Sequence, residues 1–153
     1  MNRQKLLKAS IREVTFGINV TLVEPCNLYE CEIGDDVFIG PFVEIQKGVI
    51  VGNRTRIQSH CFICEKVAIG EDCFVGHGVT FINDAFRDSK VSVNPIDWES
   101  TTIGNSVIIG SNATLLPVTI AAGVVVGAGA VVTKDLLAPG VYVGNPARLL
   151  QKK

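Results

Sequence analysis

Large apolar residues recur at every sixth position from Ile33 to Phe81: Ile33, Ile39, Ile45, Val51, Ile57, Ile63, Ile69, Val75 and Phe81. Four places after each of the first eight stand Val37, Val43, Val49, Thr55, Cys61, Val67, Cys73 and Val79, all small or β-branched. A glycine follows the anchor at Gly34, Gly40, Gly52, Gly70 and Gly76. Six is not a helical period, because 3.6 residues per turn would spread the anchors around a helix. It is an even number, so in an extended chain every anchor faces the same way. A short fixed period of this kind marks a solenoid. The pattern predicts short flat strands separated by bends, three to a turn of about 18 residues, with anchors of successive turns stacked about 4.8 Å apart. Anchor and small residue both point inward, one large and one small, and together fill a narrow triangular interior. The glycine beside the anchor is expected at the bend, where dihedrals are tight.

The period has clear limits. Residues 1 to about 14 stand outside it; Leu6, Leu7 and Ile11 give Gln4 to Arg12 a weak helical pattern, which predicts a short helix or a loose arm. The repeat starts irregularly around Ile18 to Asn27 and takes five residues instead of six before Ile33. It stops after Phe81, resumes at Ile103, Ile109 and Leu115, slips by one residue to Ile120, and runs on through Val126 and Val132. About five to six turns fit this span. The interruption, about residues 83–102, holds the only Trp, Trp98, together with the pair Asn83-Asp84. Insertions in solenoids map to loops on one face, often the binding face. After Asp135 the pattern dissolves into a C-terminal extension, residues 136–153. Gly127-Ala128-Gly129-Ala130 is so rich in small residues that something must pass close to the backbone there, a neighbouring coil or a ligand. The expectation is one all-β domain over residues 1–153.

Composition narrows the function. A chain of 153 residues with 47% apolar and 19% charged residues suits one packed domain and not a disordered tail. A net charge of -1 gives no reason to expect nucleic acid or an anionic membrane as a partner. No apolar run reaches the ~18 residues of a membrane span, and Met1 to Ser10 is unlike a secretory leader, so a cytoplasmic setting is expected. Of the five cysteines, Cys26, Cys61 and Cys73 occupy the small-residue slot and Cys31 its equivalent in a shortened unit. They read as core residues of a reducing compartment. Cys61 and Cys64 also form a Cys-x-x-Cys pair, but no second pair accompanies it to make a zinc site.

Repeats of the form Ile-Gly-x-x-Val-x, closed by Ala128-Gly129-Ala130-Val131-Val132-Thr133-Lys134-Asp135 and Gly144-Asn145-Pro146-Ala147-Arg148, resemble the hexapeptide-repeat acyltransferases. The resemblance implies a left-handed parallel β-helix with one long external loop, a homotrimer with active sites between subunits, and acetyl-CoA as co-substrate with no metal. Ile33 to Gln46, Ile57 to Glu65 and Gly76 to Asp84 are most similar to the branch that N-acetylates amino groups on nucleotide-linked sugars (UDP- or dTDP-3-amino-3-deoxyhexoses) for surface polysaccharides. Where that branch often carries Pro-Arg after the Asn, this chain has Phe86-Arg87-Asp88.

That resemblance assigns roles to particular residues. His77 could accept the proton of an attacking amine, since an unperturbed imidazole titrates near pH 6.5. Asn83 would hold the amino group and Asp84 orient it or the histidine. His60, Arg87 and Trp98 are further candidates for the acceptor side. His60 and His77 are seventeen residues apart, one short of a turn, which places them on adjacent coils near one edge. Backbone groups around Gly110-Ser111 and Gly127-Ala128 could bond the pantetheine of CoA, and Lys134 and Arg148 its phosphates. Competing readings are a serine, antibiotic or galactoside O-acetyltransferase, a carbonic-anhydrase-like zinc enzyme, and a non-catalytic scaffold. Catalytic zinc normally takes three protein ligands, and this chain has two histidines.

Overall fold

A computed structural model of the chain describes residues 10–86 and 89–150. The backbone is a left-handed parallel β-helix of about seven turns. Among the described residues its short strands form three sheets of seven, six and eight strands, one for each face of the prism, parallel throughout except for the last pair of the eight. The fourth coil is representative: Phe62–Ile63 lies on the first face, Val67–Ile69 on the second and Phe74–Val75 on the third. Registers preserve the sequence period, so Ile63 stacks on Ile45, Ile69 on Val51 and Val75 on Ile57.

All nine anchors point inward, and none is more than 3% exposed. The small slot four residues on is buried equally well, and it tolerates polar atoms for a specific reason. The Thr55 hydroxyl donates to the Gly70 carbonyl at 2.8 Å and accepts from the Cys73 N–H at 3.0 Å. The Cys61 thiol donates to the Gly76 carbonyl at 3.0 Å and the Cys73 thiol to Gly104 at 3.1 Å. Each donated bond reaches the carbonyl of the residue that follows an anchor on the next coil, so a buried hydroxyl or thiol leaves no unpaired polar group.

The bends differ from the sequence expectation in one respect. Left-handed dihedrals fall three residues after the anchor, at Asp36, Phe42, Gly48, Arg54, His60, Lys66, Asp72 and Gly78. The glycine directly after the anchor is required by close approach instead. A Cβ on Gly34 would lie 2.9 Å from the Asn53 nitrogen, and one on Gly52 would lie 2.5 Å from the Gly70 carbonyl carbon. Coil spacing, and not backbone conformation, selects that glycine.

The helix also extends further at both ends than the period indicates. Ile11–Arg12 is a strand that pairs with Leu28–Tyr29, so residues 10–12 join the first coil instead of forming a helix; the rest of the Gln4 to Arg12 segment lies outside the described residues. At the other end Leu136 bridges to Ile120 and Val141–Val143 pairs with Val125–Val126, which completes a seventh coil beyond Asp135. Tyr142 stands in the anchor position, with its hydroxyl donating to the Ala138 carbonyl at 2.9 Å. Val141–Val143 then pairs antiparallel with Arg148–Leu149, and the Ala147 N–H donates to Val131, closing the lower end. Irregular spacing of Ile11, Val14, Phe16 and Leu22, and of Leu136 and Tyr142, hides both end coils from a strict count of six.

All five cysteines are free and buried. Burial pushes the Cys31 and Cys61 thiols up to about 11 and Cys64 up to about 12, and also raises Cys26 and Cys73. A raised thiol pKa lowers the thiolate fraction, so at pH 8 the folded protein should react with Ellman's reagent far more slowly than the same protein in guanidinium. Rapid release of colour by the folded protein would contradict this burial.

Candidate functional site

Two clusters of chemically useful side chains form, at different corners of the prism. The first is the corner that joins the third face to the first face of the following coil. Because Val75 pairs with Ile57 and Ile109, and Val126 with Ile109 and Tyr142, the residues two places on follow one another down this corner. They are Ser59, His77, Ser111, Ala128 and Gly144. Turn-to-turn hydrogen bonds hold the stack: Gly78 donates to Ser59 at 2.9 Å, Asn112 to His77 at 2.8 Å and Gly129 to Ser111 at 2.8 Å.

His77 projects from this corner, exposed, with its Nδ1 2.8 Å from the Ser59 hydroxyl. A hydroxyl can accept from Nδ1–H or donate to a bare Nδ1. In the first arrangement Nε2 carries a lone pair toward solvent, which is the state a general base requires. Ser59 precedes His77 by one full turn of eighteen residues, so this partner was readable from spacing alone. His60 occupies the adjacent lane on the coil above, one position further along. Its ring stacks on Phe42, with centroids 4.8 Å apart and planes at 20°.

Gly110, Ser111, Gly127 and Ala128 lie on this same corner, below His77, and Arg148 lies beside Val143 at its C-terminal end. The glycines have a packing reason to be there. A Cβ on Gly110 would meet the Ala128 nitrogen, and one on Gly127 would lie 2.7 Å from Val143 Cγ1. For Gly127, then, the close neighbour that the small-residue run implies is the next coil. Arg148 is exposed, its Nη1 donating to the Ala147 carbonyl at 2.9 Å.

The second cluster sits one face away, at the corner between the first and second faces, where the long loop leaves the fifth coil. The Asn83 amide donates to the Glu65 carbonyl at 3.3 Å, and its own carbonyl accepts from Glu99 N–H at 2.8 Å, so Asn83 pins both ends of the loop. Asp84 organises the interior: its two oxygens accept from Phe86 N–H at 2.9 Å and Ser92 N–H at 2.8 Å. The Trp98 indole donates to the Ser92 carbonyl at 3.1 Å, and Lys66 Nζ donates to the Trp98 carbonyl at 2.7 Å. Between these groups is an open cavity of about 520 Å³ bordered by Asp84, Lys90, Ser92, Asp97 and Glu99. Lys134 follows the last strand of the first face and belongs to this side. Arg87 lies outside the described residues.

Within one chain, therefore, His77 does not meet Asn83 and Asp84. Six residues of nearly extended chain, at most about 20 Å, carry the backbone from one corner to the other. Ser59, Phe42, Lys66 and Ser92 are the participants that sequence reasoning did not single out. Lys66 keeps its place in the period, three residues after Ile63, but its partner Trp98, like Ser92, lies in the irregular loop and carries no periodic signal. Among the described residues no group of three or more His, Cys, Asp or Glu is placed to hold a metal ion, and no helix is long and apolar enough to cross a membrane.

Known proteins share this architecture. The family pattern described as bacterial transferase hexapeptide (six repeats) matches residues 30–65, and that of the hexapeptide repeat of succinyl-transferase matches residues 100–134. No curated protein matches the chain at the level of sequence. Among solved structures, a variant of perosamine N-acetyltransferase from Caulobacter crescentus, in complex with CoA and GDP-perosamine, superposes with a TM-score of 0.64 at 19% identity. That similarity covers 94% of this chain and 58% of the Caulobacter protein, so this chain spans little more than half of that relative's length. AntD, an N-acyltransferase from Bacillus cereus in complex with dTDP and coenzyme A, gives a TM-score of 0.78 at 23% identity, over 90% of this chain and 82% of AntD. A galactoside acetyltransferase in complex with coenzyme A gives 0.65 at 27% identity, over 78% of this chain and 63% of the other. The anchor ladders, the corner geometry and both repeat patterns agree: the chain carries hexapeptide repeats wound into a left-handed β-helix.

Proposed function

We propose that the chain is an acetyl-CoA-dependent N-acetyltransferase acting on the amino group of a nucleotide-linked amino sugar, and that it works as a homotrimer with each site shared by two protomers. The observation that carries this reading is the exposed His77, tied at Nδ1 to Ser59 at 2.8 Å, at the head of a lane of small residues. Such a lane leaves backbone groups open to an extended ligand. The perosamine enzyme and AntD, two neighbours of like fold, were solved with CoA together with a nucleotide or nucleotide sugar.

In this scheme acetyl-CoA supplies the thioester, lying along Ser111 and Ala128 with its phosphates toward Arg148 and the partner protomer's Lys134 side. His77 Nε2 takes the proton as the amine nitrogen bonds to the acyl carbon and the C–S bond breaks; the imidazolium then returns that proton to the departing sulfur. Asn83 offers its side-chain oxygen to the amine from the loop of the neighbouring protomer. Two apolar surfaces support the trimer. Phe74, Ile108 and Val141 are in register on the outside of the third face and 38%, 46% and 39% exposed. The loop presents Val91, Val93 and Ile96 at 71%, 90% and 82% exposure. Apolar patches of this extent mark contact surfaces.

A hydroxyl acceptor is the second reading, because the galactoside acetyltransferase shares 27% identity. Thiol release from acetyl-CoA with a panel of UDP- and dTDP-amino sugars separates the two. Release with one of the amines, and none with its hydroxyl counterpart, is the expected outcome; turnover of galactosides but of no amino sugar would sink the assignment.

A further inference from the structure

Phe42 is a residue the fold alone does not account for. It sits at a left-handed corner, φ 61°, and is 56% exposed. Every other non-glycine residue at the left-handed corners of the coils is polar or charged: Glu13, Asn19, Glu30, Asp36, Arg54, His60, Lys66, Asp72, Ser106 and Asn112. A bulky apolar side chain in that conformation is disfavoured both by sterics and by water. Phe42 is nevertheless held in place, its ring packed face to face on His60 at 4.8 Å. On the side away from His60 it borders a hollow of about 300 Å³ lined by Pro25, Cys26, Asn27, Val43 and Glu44.

We infer that Phe42, backed by His60, is a stacking shelf for the base of the acceptor nucleotide. The inference rests on the reading of His77 as the acylation site. With CoA on the C-terminal side of His77, the acceptor must approach from the N-terminal side, where this shelf is. Phe42 lies two coils from His77, about 10 Å at ordinary strand spacing, within the span of a nucleotide-linked sugar whose amine is at His77. An aromatic ring with one face already covered offers a flat surface of the kind that bases stack on. The wall of the hollow adds discrimination. The Glu44 carboxylate is fixed by the Asn27 amide at 3.1 Å and the Gln46 amide at 2.9 Å, and each oxygen keeps a lone pair. A carboxylate there favours a base with a ring N–H, as in the uracil or thymine of the acceptors proposed above, over the adenine of CoA, which has none.

Calorimetric titration with dTDP, UDP and CoA tests the shelf independently of turnover, in the wild type and in Phe42→Gly, Phe42→Leu and Phe42→Trp. The wild type should bind dTDP or UDP. Phe42→Gly and Phe42→Leu should weaken that binding about tenfold or more, the range of one base stack, while Phe42→Trp keeps it and CoA affinity is unchanged throughout. Glycine suits a left-handed corner, so Phe42→Gly should melt no lower than the wild type and keep the same native mass. The shelf is overturned if the wild type binds neither nucleotide, or if the Gly or Leu variant binds dTDP and UDP as the wild type does. A loss of CoA affinity, or a change of oligomer, would overturn it equally, by giving Phe42 to the cofactor or to a subunit contact. Nucleotide binding without acetyl transfer would leave the shelf standing and remove the N-acetyltransferase reading.

Discussion

Replacing His77 with asparagine is expected to lower kcat/KM for acetyl transfer about a hundred- to ten-thousand-fold, the usual contribution of a positioned general base. Asparagine keeps a polar group of similar size at an exposed corner, and the backbone bond from Asn112 to the His77 carbonyl does not depend on the side chain. Stability should therefore hardly change, and the loss can be assigned to chemistry. Because the amine must shed a proton in either case, the variant should recover part of its rate at alkaline pH, where more amine is already neutral. Steady-state rates across pH check both statements. A variant with unchanged kcat at every pH would remove His77 from the mechanism and leave proton transfer to solvent or substrate.

The second large effect concerns the core. Phe81→Ala is expected to destabilise the protein by about 3–5 kcal/mol, the range for emptying a buried aromatic site. Phe81 is 0% exposed, the largest of the buried anchors, and stacks on Leu115 of the next coil. In a narrow prism the neighbouring anchors cannot collapse into the gap, because each is fixed by its own strand pairing. At about 2–4 °C per kcal/mol for a chain of this size, the melting temperature should fall by about 6–20 °C. Ile18→Ala, at a site 68% exposed on the first coil and outside both proposed contact surfaces, is the control and should change stability by less than about 0.5 kcal/mol. A Phe81→Ala protein that melts with the wild type would mean that the anchor ladder does not hold the coils together.

These two positions show what the sequence reveals and what it hides. The anchor run announced the fold because every inward residue obeys one period, and Phe81 could be placed in the core before any coordinate was known. The role of the glycine after the anchor was not legible in the same way. Gly34 and Gly52 look like bend residues, yet their neighbours across the coil spacing are what exclude a side chain, and that contact is invisible along one strand. His77 and His60 were placed on one corner by counting, since the counting rule of the prism extends to its corners. Asn83 and Asp84 were harder to place. Their nearness to His77 in sequence suggests one site, whereas six residues of extended chain carry them to the next corner. Their hydrogen bonds to Glu65, Glu99, Phe86 and Ser92 depend on loop geometry that has no period.

That separation makes the composite site the central claim, and mixing protomers tests it most directly. His77→Asn and Asn83→Ala proteins, each inactive alone, are unfolded together in equal amounts and refolded. If His77 of one protomer works with Asn83 of the next, one interface in four draws an intact residue from each side, and about a quarter of wild-type activity should return. No recovery from a mixture shown by native mass to contain mixed trimers would contradict the shared site.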